Sequence, residues 1–302
     1  MIQGIIAALP GAISLGILYG IMGLGVYITY KILDVADLTV DGSFALGGSI
    51  CAVCIIKGMH PLPAIFVAIL AGCAAGAVTG MLHALFDIPA ILAGILTQYG
   101  LYSVNLRIMG RSNTPLLKYE TLMDKFSKLF PNMESAYVAL VIGGIAVVLV
   151  IIVMYWFFGT EVGSEIRATG NNEAMVRALG GNTRLMKVLG LTISNGLVAL
   201  SGALICQYQG YADVNSGQGM IVVGLAAIVI GNVLLGWVKS FAMKMVSVIA
   251  GSIIYRIVIA LILQTGWVET TDTKGFSAII VAIALAVPVL ISRYKNKPQV
   301  EE

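Results

Sequence analysis

The sequence predicts an all-α protein, a polytopic membrane bundle of about eight or nine transmembrane helices. Of its 302 residues, 59% are hydrophobic and 11% charged, well below the roughly 25% charged in a soluble domain. An aqueous surface cannot be built from such a chain, so lipid must be its solvent. Apolar stretches of about 20 residues, the length that crosses the hydrocarbon core, recur along it. The 35 glycines suit close packing between membrane helices. A net charge of +3 on scattered bases argues against a nucleic-acid partner.

The first stretch lies within residues 2–33, where Pro10 and Gly11 can separate a short interfacial lead from the span proper. No basic stretch or cleavage site of a secretory signal precedes it, so the run is expected to stay as the first membrane helix. Residues 44–56 are short for a full crossing and predict a broken or partly re-entrant second helix. Residues 63–85, 88–109 and 137–158 supply the next three spans. After a polar interval come 188–207, 220–237, 246–263 and 276–291, which makes nine candidates.

Orientation follows from the basic residues, which concentrate in cytoplasmic loops. Arg167, Arg177, Arg184 and Lys187 share the central polar interval, Lys239 and Lys244 a later loop, and Arg293, Lys295 and Lys297 the C-terminal tail. Even numbers of spans separate these regions, so all three are cytoplasmic together. The intervening loops carry Asp213, Glu269 and Asp272, with Lys274 the one base. Parity places residues 110–136 outside despite Arg111, Lys118, Lys125 and Lys128. With Leu116, Leu117, Leu122, Met123, Phe126 and Leu129 among the charges, this loop predicts an amphipathic helix lying on the outer surface.

Gly72, Gly76 and Gly80 recur every fourth residue, which strips one helix face of side chains and lets a neighbouring backbone approach; Gly16 and Gly20 repeat the device. Cys51, Cys54, Cys73 and Cys206 lie in or beside apolar runs and read as packing residues, since no second pair or histidine cluster completes a metal site. His60 and His83 flank hydrophobic spans and read as interfacial residues, so no metal is expected.

The polar interval, 160–189, is the most informative segment. Gly170 and Asn171 are expected to break one helix, Asn172 to cap the next, and Gly180 and Gly181 to end it; Asn182 then caps the helix that returns to the membrane. The result is a short cytoplasmic helix over residues 173–179, in which Ala174, Met175, Val176, Ala178 and Leu179 accompany Glu173 and Arg177. Such a helix suits docking into a groove on another protein.

On these residues a resemblance becomes visible. Glu173-Ala174 followed by Gly180, in the setting Arg-Ala-Thr-Gly-Asn-Asn-Glu-Ala, resembles the coupling-helix signature of ABC importer permeases that move branched-chain amino acids, ribose and related solutes. Asp37-Leu38-Thr39-Val40-Asp41-Gly42-Ser43 followed by Gly47-Gly48 is similar to the start of their second membrane segment, in wording most like permeases assigned to tryptophan or tyrosine import. Relative to the Glu-Ala-Ala signature of the other large importer group, the glycine falls one place later and Met175 replaces the second Ala. The resemblance implies a type II ABC importer-like fold. It also implies one transmembrane domain over residues 1–302, with a coupling segment at 161–187 and an extracytoplasmic amphipathic loop at 110–136, in a bacterial cytoplasmic membrane. Its implied partners are an ABC ATP-binding subunit that grips Glu173, Ala174, Met175, Arg177, Leu179 and Gly180, an extracytoplasmic substrate-binding protein, and a second permease copy, most simply as a homodimer. The implied cargo is a small polar solute, an aromatic or branched-chain amino acid. The chain has no glycine-rich phosphate loop of the Gly-x-x-x-x-Gly-Lys-Ser/Thr kind, so it is expected to bind no cofactor and to be no enzyme; ATP-Mg belongs on the partner.

Polar groups stranded among apolar ones are candidates for the solute pathway, because they are costly in lipid unless they face a partner or a cavity. They are Thr39, Asp41, Ser43, Gln98, Tyr99, Asn105, Asn195, Asn232 and Arg256, with Gln207 also noted. Asp34, Asp37 and Asp41 would gather on one face if helical. Asp41 and Arg256 suit the ammonium and carboxylate of an amino acid, while the structural reading has them pair with protein groups or cap helices. Aromatic residues for stacking a phenol or indole are not conspicuous. The alternative class is an ion-coupled secondary transporter, which would ordinarily show inverted repeats and no capped docking helix. A membrane-embedded enzyme would need an oriented base beside Ser43, and no spacing supplies one.

Overall fold

The structure, a computed structural model, describes residues 2–130, 135–236 and 240–264, together with 275, 276, 278, 279, 281, 282 and 286. Its helices are α1 (Ile2–Tyr27), α2 (Thr39–Ile56), α3 (Pro61–Ala84), α4 (Ala90–Met109), α5 (Leu122–Leu129), α6 (Ser135–Phe158), α7 (Glu161–Asn171), α8 (Glu173–Ala178), α9 (Thr183–Gln209), α10 (Met220–Leu235) and α11 (Phe241–Gln264). A π-turn, Ile28–Ile32, extends α1, and a 3-10 turn, Val214–Gly217, leads into α10. Strands β1 (Asn113–Pro115) and β2 (Tyr211–Asp213) pair antiparallel with Thr114 opposite Ala212.

Seven described helices are long and apolar enough to cross a membrane. With 20 residues α4 has the length, but Gln98, Asn105 and Arg107 dilute its apolar character. The first eight expected spans thus all appear as helices; the ninth, the C-terminal tail, Glu269, Asp272 and Lys274, Trp237 and Lys239 fall largely or wholly outside the described residues.

Helix α9 is the centre of the bundle, with α1, α2 and α3 packed around it. Glycines set these distances. A Cβ on Gly80 would lie 2.7 Å from Val188 Cα, one on Gly76 would meet Leu191 O and Asn195 Cβ, and one on Gly72 would meet Ala199 and the Asn195 carbonyl. The expected small-residue face of α3 therefore lies on α9. Gly16, whose Cβ would be 2.6 Å from Ile253 Cα, and Gly20 bring α1 onto α11 in the same way. At 1.5 Å per residue, the 27 residues of α9 span about 40 Å and give a ruler between two ends. Helices α7 and α8 mark one end, and β1, β2 and α5 mark the other.

Several expectations are corrected. Pro10 lies inside one continuous helix and separates nothing. The second span begins at Thr39, and its break is the non-helical stretch 33–38 just before it. Residues 113–115 form a strand, so the amphipathic helix of this loop is confined to α5. It is closed by a capping box between Thr121 and Asp124. Its Met123 packs on Val138, Ala139 and Ile142 of α6, with Phe126 beside them, so its apolar face is covered by protein. His60 caps α3 by accepting from Leu62 N, and His83 bonds the Ile88 carbonyl.

Candidate functional site

The segment Asp37-Leu38-Thr39-Val40-Asp41-Gly42-Ser43 opens α2 deep in the bundle. Asp34 is exposed with φ 55° and the chain is not helical until Thr39, so Asp34, Asp37 and Asp41 share no helix face. Asp37 Oδ1 accepts from Thr39 N at 2.9 Å and Oδ2 accepts from Asn195 Nδ2 at 2.7 Å. Asn195 is the thirteenth of the 27 residues of α9, so this pair sits near the middle of the span. Asp41 reaches across the bundle, its two oxygens accepting from Gly219 N and Ile221 N at 2.9 Å each. Each aspartate thus lies on the amino end of a helix, Asp37 buried at the start of α2 and Asp41 half-buried at the start of α10, where unpaired N–H groups and the positive end of the helix dipole favour negative charge. That placement explains how two carboxylates reside among apolar helices.

The rest of the junction follows from the same segment. Thr39 Oγ1 meets Thr79 Oγ1 at 2.7 Å, and Thr79 donates to Thr97 Oγ1 at 2.9 Å, tying α2, α3 and α4. Gly42 lets α4 approach, a Cβ there lying 3.2 Å from Gln98 Cα, and its carbonyl accepts from Asn105 Nδ2 at 3.4 Å. Ser43 Oγ, Asn105 Oδ1 and Asn195 Oδ1 are buried and have no hydrogen-bond partner among the described residues. The structure therefore brings Thr39, Asp41, Ser43, Asn105 and Asn195 together, with Gln98 at the edge.

Asn232 and Arg256 stand apart. Asn232 is exposed near the far end of α10. Arg256 of α11 lies over the Tyr19 ring at 3.7 Å from its centroid, and Tyr19 stacks on Phe44 at 5.8 Å. Its Nε is buried without a hydrogen bond among the described residues. Gln207, also buried, accepts from Leu122 N at 2.8 Å and so anchors α5. Tyr99 points out of the bundle from α4, and Tyr102, Ser103 and Arg107 join it on the exposed side. Aromatic side chains are thus available after all. Helical spacing from Tyr99 is the signal that could have found them.

At the other locus, Asn172 Oδ1 accepts from Met175 N at 3.0 Å to start α8, and Asn182 Oδ1 accepts from Leu185 N at 3.1 Å to start α9. Gly180 takes φ +86° between them, a left-handed turn that glycine adopts freely. The helix is six residues long and Leu179 is its cap. Gly170 does not break α7; it lies within it, where a Cβ would strike the Ile32 carbonyl, so α7 is wedged against the end of the π-turn. Glu173 is bonded to Arg177 and to Lys187 Nζ at 2.9 Å. Burial alone would raise the Glu173 carboxyl, but the hydrogen bonds from Lys187 and Arg177 outweigh it and hold it at about 2. Arg177 Nε also donates to Thr183 Oγ1 at 3.0 Å, and Glu165 accepts from Asn182 N at 3.2 Å. Although the segment is bound to α9 and α1 in this way, Met175 is 47% and Leu179 80% exposed, large apolar side chains at the surface of the projection.

Comparison with known proteins identifies the chain. Residues 1–288 match the family model described as branched-chain amino acid transport system / permease component. The tyrosine transport system permease protein of Clostridioides difficile is 40% identical over 94% of this chain and 91% of that protein. The ribose import permease protein RbsC of Escherichia coli is more distant, 25% identical over 86% and 78%. PsaBC from Streptococcus pneumoniae, solved in complex with Fab, shares the fold over 95% of each chain with a TM-score of 0.51 at 16% identity. The chain belongs to the branched-chain amino acid transport system / permease component family, as a multi-pass permease subunit of an ABC transport system in a bacterial plasma membrane.

Proposed function

We propose that the protein is the translocating subunit of an ATP-driven importer for an aromatic amino acid, with tyrosine as the first solute to test. The solute class rests on the name of the 40% identical relative. The observation that carries the mechanism is the α7–α8 projection, a separately capped short helix with exposed Met175 and Leu179. It is suited to sit in a groove of an ATP-binding subunit in the helix-in-groove manner. Closure of the ATPase pair on ATP would move α8. Glu173, Arg177 and Lys187 bind α8 to the start of α9, and α7 abuts the π-turn before the break at 33–38, so the movement passes to the elements that meet at Asp37 and Asn195. Alternating exposure of a central path to the two sides follows from such a two-state shift.

Helix α4 lies at the rim of the bundle, packed chiefly on α2 and α3. Two copies with their α4 helices opposed would enclose the path, and an external binding protein would deliver solute at the β1–β2 end. Asp41 is assigned here to holding α10, not to the solute's ammonium. The test is uptake of labelled tyrosine into proteoliposomes holding the permease, its ATP-binding subunit and its binding protein, with ATP inside or absent. ATP-dependent accumulation supports the reading; uptake driven by an ion gradient without ATP replaces it with secondary transport.

A further inference from the structure

Tyr99 is the tenth of the 20 residues of α4 and is 74% exposed. Tyr102, Ser103 and Arg107 are exposed as well. Residues three and four apart lie side by side on a helix, so Tyr99, Tyr102 and Ser103 form one surface, with Arg107 a turn beyond Ser103 towards the β1–β2 end. Towards the start of α4 the same side is apolar, with Leu92 and Leu96 exposed, and its polar part begins at Tyr99. Tyrosine in membrane proteins settles at the two interfaces, whereas Tyr99 is at mid-helix, and polar groups at that depth face a bundle interior or a water-filled cavity. Space is open beside it: a Cβ on Gly100 would meet nothing within 4 Å. On the neighbouring flank, towards α3 and α2, lies an apolar groove of about 490 Å³ lined by Leu96, Thr97, Gly100 and Val104 of α4 and by Ala71 and Ala75 of α3, which Tyr99, Tyr102, Ser103 and Arg107 do not line.

We propose that this face of α4 is the selectivity wall of the path: the rings of Tyr99 and Tyr102 bear against the ring of an aromatic amino acid, and Arg107 takes its carboxylate at the outer mouth. The inference rests on the importer reading above and adds to it which residues of this chain read the cargo. Aromatic rings attract one another in offset or edge-on arrangements beyond the burial of their area, so two tyrosines favour a ring over a branched aliphatic chain of similar size. Their hydroxyls and that of Ser103 offer partners to a phenol O–H or an indole N–H. The guanidinium fork of Arg107 matches a carboxylate. Arg107 is the one charged residue of α4, so the face disfavours cationic solutes and accepts neutral zwitterions.

The experiment uses the complete importer in proteoliposomes, with the same binding protein throughout, and compares tyrosine with leucine uptake. Tyr99→Ala with Tyr102→Ala should lower the tyrosine-to-leucine ratio of kcat/KM roughly tenfold, while phenylalanine at both positions should keep most of it. Arg107→Ala should raise KM for both solutes together, with partial rescue by Arg107→Lys. Gly100→Leu fills open space without touching the core, so the complex should still assemble by size-exclusion chromatography while tyrosine uptake falls more than leucine uptake. Wild-type transport of tyrosine together with an unchanged ratio in the double alanine and Gly100→Leu variants overturns the wall and leaves the importer standing. Absence of any amino-acid uptake by the wild-type complex overturns both.

Discussion

Replacing Asp41 separates a structural carboxylate from one that holds solute. In the structure its two oxygens each accept a backbone N–H at 2.9 Å, from Gly219 and Ile221 at the start of α10. A hydrogen bond to a charged group is worth about 1.5–3 kcal/mol; the bond from Gly219 N is exposed, where water can replace it, and the bond from Ile221 N is half-buried, so Asp41→Ala forfeits roughly 1.5–3 kcal/mol in all. Asp41→Asn keeps one carbonyl acceptor and turns an NH2 toward the second donor, which should forfeit about half as much. The buried thiols of Cys51 and Cys206 provide the assay. Thermal unfolding of the full-length protein in detergent, followed with a thiol-reactive dye, should show the order wild type, Asp41→Asn, Asp41→Ala. If both variants unfold like the wild type while the KM for solute rises, the carboxylate serves the solute and the capping argument is refuted.

Further outcomes follow from other contacts. Gly76→Val should abolish stable folding, because even a Cβ at this position meets the Leu191 carbonyl and lies 2.8 Å from Asn195 Cβ; recovery of normal amounts of monodisperse protein contradicts that account. Gly180→Val should destabilise the α8–α9 turn by about 1–2 kcal/mol, since φ is +86° and a left-handed backbone disfavours a β-branched residue, and ATPase association should weaken with it. Because the Glu173 carboxyl is depressed to about 2, its contribution to α8 is complete above the ordinary carboxylate range, near pH 4.5, and is lost as pH falls toward 2. Protease protection of the α7–α8 segment should decline over that window in the wild type and show no such step in Glu173→Gln. Thr79→Val should loosen α4 from α2 and α3 by removing both hydroxyl contacts, read as faster hydrogen exchange in α4.

Much of the bundle was legible because membrane length and apolar composition fix helices almost without regard to neighbours. The Gly72, Gly76, Gly80 repeat declared its own contact. The caps at Asn172 and Asn182 were readable because capping is local: the side chain that closes the helix lies three residues from the N–H it satisfies. What stayed hidden depends on partners far along the chain. Nothing near Asp41 in sequence says that it caps a helix 178 residues away, or that Asp37 faces Asn195. Local punctuation also misled at Gly170, which resembles a helix breaker but is a packing glycine under the Ile32 carbonyl. The α4 surface went partly unread because Gln98, Tyr99 and Asn105 differ in where they point: Asn105 turns inward to Gly42, whereas Tyr99 shares its outward face with Tyr102 and Ser103.

The central claim is that α8 is the element a separate ATPase grips. The most direct measurement is disulfide capture from membranes between a single cysteine introduced in place of Leu179, in a background without the four native cysteines, and cysteines placed in the groove of the co-expressed ATP-binding subunit. The account predicts a cross-linked species whose yield changes with ATP, and loss of both ATPase association and solute uptake in Leu179→Asp. Absence of a cross-link from the positions of Leu179 and Met175, with a Leu179→Asp variant that still assembles and transports, would contradict it.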